Sequence, residues 1–246
     1  MGTRERYAPG TFCWADLGVA DRDASKAFYS QLFGWEHSDQ TGPRGNVYTT
    51  FEKDGHAVAA LREGPPVWFS YVAVESVDDS VARATGAGAS VAAEARDIPP
   101  AGRIAVVTDP QGAHVGLWQA GVFAGAGLVN EPGSIVWQQL SAPDLGAAQE
   151  WYAGQFGWTW ADLPGVPGWL EARNGENWLM GGASEGPEAG WQLVFTVEDC
   201  ARACARVEEL GGRTLEPPAD TAIGVFATVA DQQGSAFGVF TGETDP

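Results

Sequence analysis

Asp16 is the carboxylate best placed for chemistry. It stands two residues beyond Trp14 in a bulky run, Thr11 to Val19, that reads as a strand, and alternate residues of a strand share a face. A carboxylate beside an indole loses hydration, its proton affinity rises, and it becomes a candidate general base. The other reading of the same residue is a strand-edge aspartate held by backbone or by an arginine. His114 is a second candidate acid or base, or else a structural histidine on a strand. Cys200 and Cys204 lie one helical turn apart and could form half of a metal site. No second Cys/His pair completes it, and two small residues filling a helix face explain the spacing. No glycine-rich phosphate loop opens a helix, since GAGAS follows one, and no nucleophile elbow is present.

Composition narrows the function classes. The net charge is −18, which repels phosphate backbones and anionic lipid, so neither nucleic acid nor membrane is an expected partner. Three cysteines form no repeated pairing pattern, which argues against a disulfide framework. MGTRERYAPGTF lacks an apolar signal core and no run approaches ~18 apolar residues. The expected compartment is the cytoplasm.

The elements that must position these residues occur twice. TFCWADLGVADRDASKAFYSQLFGWEH aligns without a gap on SIVWQQLSAPDLGAAQEWYAGQFGWTW. Trp14 meets Trp137, Asp21 meets Asp144, Tyr29 meets Tyr152, and Phe33-Gly34-Trp35 meets Phe156-Gly157-Trp158. Further on, DPQG at 109–112 matches DQQG at 231–234 after one deletion. A tandem duplication follows, with domains at 8–120 and 133–242 and a linker of small residues between them. Within each copy a strand leads into a helix capped by Asp21 and stopped by Gly34. Two strands follow around a Lys-Asp-Gly turn, and the pattern then restarts. The fold class is α+β, with four βαβββ modules.

A strand followed by DxxxSxxFYxxLFGW, with a second module closing on a DPxG hairpin, resembles the vicinal oxygen chelate superfamily. That superfamily includes glyoxalases, extradiol dioxygenases and bleomycin resistance proteins. The tandem form is similar to two-domain actinobacterial hydroxylase-like and antigen proteins. The resemblance covers nearly the whole chain and implies two half-barrel clefts, each with a divalent metal held by His, Gln or Glu from the first and last strands of its modules. Carried onto this chain, those seats fall on Trp14, Phe69 and Gly116 in domain 1, and on Trp137, Gln192 and Gly238 in domain 2. The remaining seats, in AVAAL and WLMGG, offer apolar atoms and glycine. A metal needs about three or four converging donors, so the expected state is metal-free, with no cofactor.

If Trp14 faces the cleft, alternation turns Asp16 the same way; if Phe69 does, Tyr71 follows, and His114, Gly116 and Trp118 share one face of the closing strand, so that domain 1 presents an aromatic wall around Asp16. Domain 2 presents Trp137, Gln139, Gln192 and Phe240, joined in one reading by Trp169 and Glu171. Glu171, aligned with Phe51, either contacts a ligand or faces solvent, and solvent is the favoured side. Aromatic walls with few polar groups suit flat organic ligands, and Gly116 and Gly238 leave room for a ring. The bland alternative is that the aromatics fill the half-barrels. The leading expectation is therefore binding of a small aromatic or polyketide-like metabolite, in resistance or biosynthesis. Two alternatives stand beside it. One is a lyase, isomerase or hydroxylase-like enzyme using Asp16 or a non-standard metal site; the other is a scaffold with vestigial clefts. Gln139 replaces Asp16 in domain 2, so acid–base chemistry is expected in domain 1 alone. The chain is expected to be a monomer or a homodimer.

Overall fold

The computed structural model describes residues 2–42, 45–174 and 177–244. The first module runs β1 (Phe12–Val19), α1 (Arg22–Phe33), β2 (Glu36–Thr41), β3 (Val47–Lys53) and β4 (His56–Glu63). The second runs β5 (Trp68–Ala73), α2 (Val77–Gly86), β6 (Ser90–Ile98), β7 (Gly102–Thr108) and β8 (His114–Ala120). The third comprises β9 (Ile135–Ala142), α3 (Leu145–Phe156), β10 (Trp158–Asp162), β11 (Trp169–Asn174) and β12 (Asn177–Glu185). The fourth comprises β13 (Gly190–Thr196), α4 (Cys200–Glu209), β14 (Arg213–Thr221), β15 (Gly224–Ala230) and β16 (Ala236–Gly242). No helix among the described residues is long and apolar enough to cross a membrane.

The duplicated helices start and stop as the sequence dictates. Asp21 accepts from the Ala24 amide at 3.0 Å and Asp144 from the Ala147 amide at 2.9 Å, each satisfying an otherwise unpaired first-turn donor. Gly34 and Gly157 then close the helices at φ of 72°, a left-handed conformation that a side chain disfavours.

Each pair of modules forms one eight-stranded sheet. The first has the order β2-β3-β4-β1-β5-β8-β7-β6, and the second repeats it as β10-β11-β12-β9-β13-β16-β15-β14. The first strands of the two modules run antiparallel at the centre, so the two halves of each cleft meet there. One face of each sheet carries the helices, and these helix-bearing faces pack on each other. Module one shares a core with module four, through Phe33 and Trp35 against Phe195 and Phe237. Module two shares another with module three, Val72, Val115 and Leu117 standing with Tyr152 and Trp158, and Phe12 of β1 and Trp191 of β13 pack into the same cluster. The concave faces therefore turn outward.

The repeated motif residues tie the domains together. Tyr29 donates to Asp231 at 2.9 Å, and Tyr152 donates to Asp109 at 3.0 Å. The other oxygen of Asp109 accepts the amides of Gln111, Gly112 and Ala113, while that of Asp231 accepts those of Gln233 and Ser235. Each hairpin carboxylate thus organises its own turn and receives a phenol from the other domain. Trp68 and Trp191 donate in turn to the two tyrosine oxygens. Burial, reinforced by the facing aspartate, pushes both phenols far above their usual range and keeps them as donors. Trp35 donates to the Gly133 carbonyl and Trp158 to that of Gly10, while Gln233 brackets the Asp21 backbone and Gln111 that of Asp144.

A hydrogen bond to a charged acceptor contributes about 1.5–3 kcal/mol, and more is lost when a buried acceptor is left bare. Tyr29→Phe and Tyr152→Phe should each lower the unfolding free energy by about that amount in urea titrations. Unchanged midpoints in both variants would show that these cross-domain bonds carry no stability.

Candidate functional site

The strand register brings the expected residues of domain 1 onto one face. Trp14 pairs with Tyr71 and Asp16 with Phe69, while Tyr71 pairs with Gly116 and Ala73 with Trp118. That face is not open. Residues 121–129 cross it, with the Phe123 ring edge-on to Trp14 at 4.8 Å and the Trp118 indole donating to the Phe123 carbonyl at 3.0 Å. Ala126 donates to the Cys13 carbonyl and Gly127 to that of Ala57, while Tyr7 donates its hydroxyl to the Ala126 carbonyl. The segment between the domains is a strap over the first cleft, and it leaves Trp118 6% exposed. The room expected at Gly116 is also taken: a Cβ there would lie 2.1 Å from the Tyr71 ring. The glycine accommodates the protein's own aromatic side chain.

Asp16 is 3% exposed, and both of its oxygens are engaged. Arg62 donates through Nε to one at 2.8 Å, and Tyr71 donates its hydroxyl to the other at 2.9 Å. The indole of Trp14 donates to the Tyr48 hydroxyl at 2.8 Å, extending the polar cluster. Arg62 also lies over the Phe69 ring, 5.5 Å from its centre. Neither Tyr48 nor Arg62 is singled out by the sequence. Arg62 directly follows the AVAAL run read as purely apolar, and β4 carries that strand on to it. His114 is exposed at the start of β8, bonded to Thr108 through Nδ1 at 2.8 Å and stacked on Phe69.

Domain 2 fills the same face differently. Gln139, in the seat of Asp16, pairs with Gln192 on one side and Gly182 on the other. Its Oε1 accepts the Trp137 indole N–H at 2.8 Å, and its amide nitrogen donates to Ser184 at 3.3 Å. A Cβ on Gly182 would lie 2.4 Å from the Trp137 ring, so the indole lies over that glycine. Gln192 reaches Thr228 at 3.5 Å, and Thr228 donates to Glu216 at 2.7 Å. At Gly238 the space is again filled from within, by Phe226 and Val194 at 2.9 Å. Phe240 is buried, while Trp137, Trp169, Gln192 and Phe226 keep part of their surface in solvent.

Glu171 departs from the expectation made for it. Thr50 pairs with Ala60, the neighbour of Asp16, and Glu171 pairs with Gly182, the neighbour of Gln139; its counterpart is therefore Thr50 and not Phe51. That shift of one residue turns the carboxylate onto the concave face, where it is 2% exposed instead of facing solvent. One of its oxygens accepts from Nε of Arg173 at 2.9 Å and also from Nη2 of the same guanidinium. Its Oε2 is buried and has no hydrogen-bond partner among the described residues.

The metal seats implied by the resemblance hold an indole, a phenyl ring and a bare glycine in domain 1, and an indole, an amide and a glycine in domain 2. That donor set does not fit a divalent ion. No three His, Cys, Asp or Glu side chains converge as a metal site among the described residues. The side chains of Trp178, Leu179 and Met180 in WLMGG lie outside those described. Cys200 and Cys204 are buried on α4, and burial pushes both thiols up. Two grooves of about 370 and 400 Å³ lie elsewhere, along α1 with α4 and along α2 with α3. In the first of them Arg202 pairs with Glu198 and Arg206 with Glu209.

Burial raises the proton affinity of Asp16, with Arg62 and Tyr71 acting in the opposite direction. The folded state then holds this proton more tightly than the unfolded chain, whose aspartates titrate near about 3.9. Stability from this group is present below that pH and lost as pH rises through the folded value. The unfolding free energy of the wild type relative to Asp16→Asn should therefore fall as pH is raised from about 4 in urea titrations. A difference that grows with pH would overturn the assignment of burial as the dominant cause.

The sequence profile of the Glyoxalase-like domain family matches residues 14–117 and again 135–240. CFP32 of Mycobacterium tuberculosis, which carries the name of a glyoxylase, is 39% identical over 97% of each chain. The anthracycline biosynthesis protein DnrV of Streptomyces peucetius is 34% identical, covering 95% of this chain and 94% of its own. Among solved structures, the Mn(II)-bound glyoxalase from Novosphingobium aromaticivorans superimposes with a TM-score of 0.68 at 20% identity, over 95% of this chain and 82% of that one. The chain belongs to the glyoxalase-like domain family of the vicinal oxygen chelate superfamily, as two such domains in tandem.

Proposed function

We propose that the protein binds a planar aromatic or polyketide-like metabolite on the concave face of domain 2, without a metal, in the service of resistance or biosynthesis. The observation that carries this reading is the contrast between the two faces. In domain 1 Trp14, Tyr71 and Trp118 are buried, the chain's own strap packs on Trp14 and Trp118, and the carboxylate is satisfied internally, with Phe69 and Tyr48 keeping part of their surface. In domain 2, Trp137, Trp169 and Phe226 remain partly exposed around Gln139, Gln192 and a carboxylate oxygen that has no partner among the described residues. Partly exposed rings around a few fixed polar groups suit stacking on a flat ligand. The name of DnrV, an anthracycline biosynthesis protein, points to the same ligand class.

The catalytic alternative with Asp16 as general base is set aside, because both of its oxygens already accept hydrogen bonds. On this reading Trp14, Tyr71 and Trp118 hold the strap, while Trp137, Gln139, Gln192 and Phe240 contact the ligand. One chain carries both halves of the assembly, so a monomer suffices.

Tryptophan fluorescence titrated with a dihydroxyanthraquinone, in the presence of a chelator, should show saturable quenching at one site per chain. Trp137→Ala should weaken that binding about tenfold, the order expected for losing one stacking partner. Absence of quenching across a broad aromatic panel, or quenching only after a divalent metal is added, would refute the proposal.

A further inference from the structure

We infer that the ligand of domain 2 is an uncharged aromatic molecule that donates a hydroxyl hydrogen bond to Oε2 of Glu171. The inference rests on the binding reading above and assigns the polar group that selects among flat ligands. Glu171 is 2% exposed on the concave face, beside the glycine that the Trp137 ring covers. The Arg173 guanidinium occupies one carboxylate oxygen through two of its nitrogens. The other oxygen is buried with no donor among the described residues. A buried acceptor without a donor is costly, more so when it is charged, and a ligand that brings the missing hydrogen recovers that cost on binding.

The buried carboxylate of domain 1, at a different seat of the same face, shows what a completed site looks like. Asp16 has its second oxygen filled by a phenolic hydroxyl, that of Tyr71, at 2.9 Å. A phenolic donor from the ligand would make the analogous bond at Glu171, with its ring lying against Trp137. The neighbouring amide of Gln192, whose nitrogen reaches Thr228 only at 3.5 Å, can turn a donor or an acceptor toward further oxygens of the ligand, while Gln139 is held by Trp137 and Ser184. An anionic ligand is disfavoured twice, by the carboxylate itself and by the chain's net charge of −18.

The test compares three probes by fluorescence quenching: a dihydroxyanthraquinone, its dimethyl ether and an anthraquinone sulfonate. Wild-type protein should bind the dihydroxy probe at least tenfold more tightly than the ether, and the sulfonate weakest. Glu171→Gln should reduce the preference for hydroxyl over ether to threefold or less, while leaving the affinity for the ether within about twofold. A purely structural role for Glu171 would weaken dihydroxy probe and ether alike, and that outcome overturns the inference. Equal affinities for the two in the wild type also overturn it while leaving the binding reading intact, and this comparison needs no folded variant. If no probe quenches, the binding reading and the inference fall together.

Discussion

Two buried carboxylates, Asp109 and Asp231, set the constraint on which the rest of the molecule depends. Each gathers the amides of its own hairpin with one oxygen and leaves the other pointing at the opposite domain. A buried carboxylate oxygen requires a donor, and Tyr152 and Tyr29 supply it across the interface. Because the tyrosines sit on the helices, this requirement brings the helix-bearing faces together and turns the concave faces outward. The aromatic cores then assemble around those phenols, with Trp68 and Trp35 near Tyr29, and Trp191 and Trp158 near Tyr152. Residues that look like markers of a helix motif are in fact the joint between the domains.

With the interface fixed, the outward faces are free to differ. Equivalent positions hold Asp16 against Gln139, Phe69 against Gln192, and Thr50 against Glu171. In domain 1 the polar groups are matched among themselves, with Arg62, Tyr71 and Tyr48 gathered around one carboxylate beneath the strap. In domain 2 the groups are only partly matched: Gln139 is held by Trp137 and Ser184, whereas Glu171 keeps an oxygen in reserve. One scaffold thus presents a closed polar cluster on one side and an incomplete one on the other.

The duplication, the helix boundaries and the faces of the central strands were legible in the sequence, because each rests on local chemistry. Asp21 and Gly34 mark a helix wherever they occur at that spacing, and alternation fixes the company of Trp14 and Asp16. Partners supplied from a distance were not legible. Nothing near Tyr29 announces Asp231, and the small residues of 121–129 read as a spacer because the carbonyls they bind, those of Cys13 and Ala57, lie far away in sequence. Glu171 was misplaced by a single residue, which in a strand exchanges one face for the other. The all-polar edge strand β2, exposed along its whole length, carries no alternation by which it could be found.

The strap over domain 1 has a consequence for how such a chain can diverge. Were the two domains separate copies related by a twofold axis, every change in one cleft would be imposed on the other. Joining them end to end removes that obligation, and the joining peptide itself becomes material that only one side receives. Residues 121–129 leave β8 and lie across the cleft of the domain they have just completed before the chain reaches β9 at Ile135. Fusion thus makes the pair asymmetric by construction: the connection closes one cavity and leaves its twin free to vary.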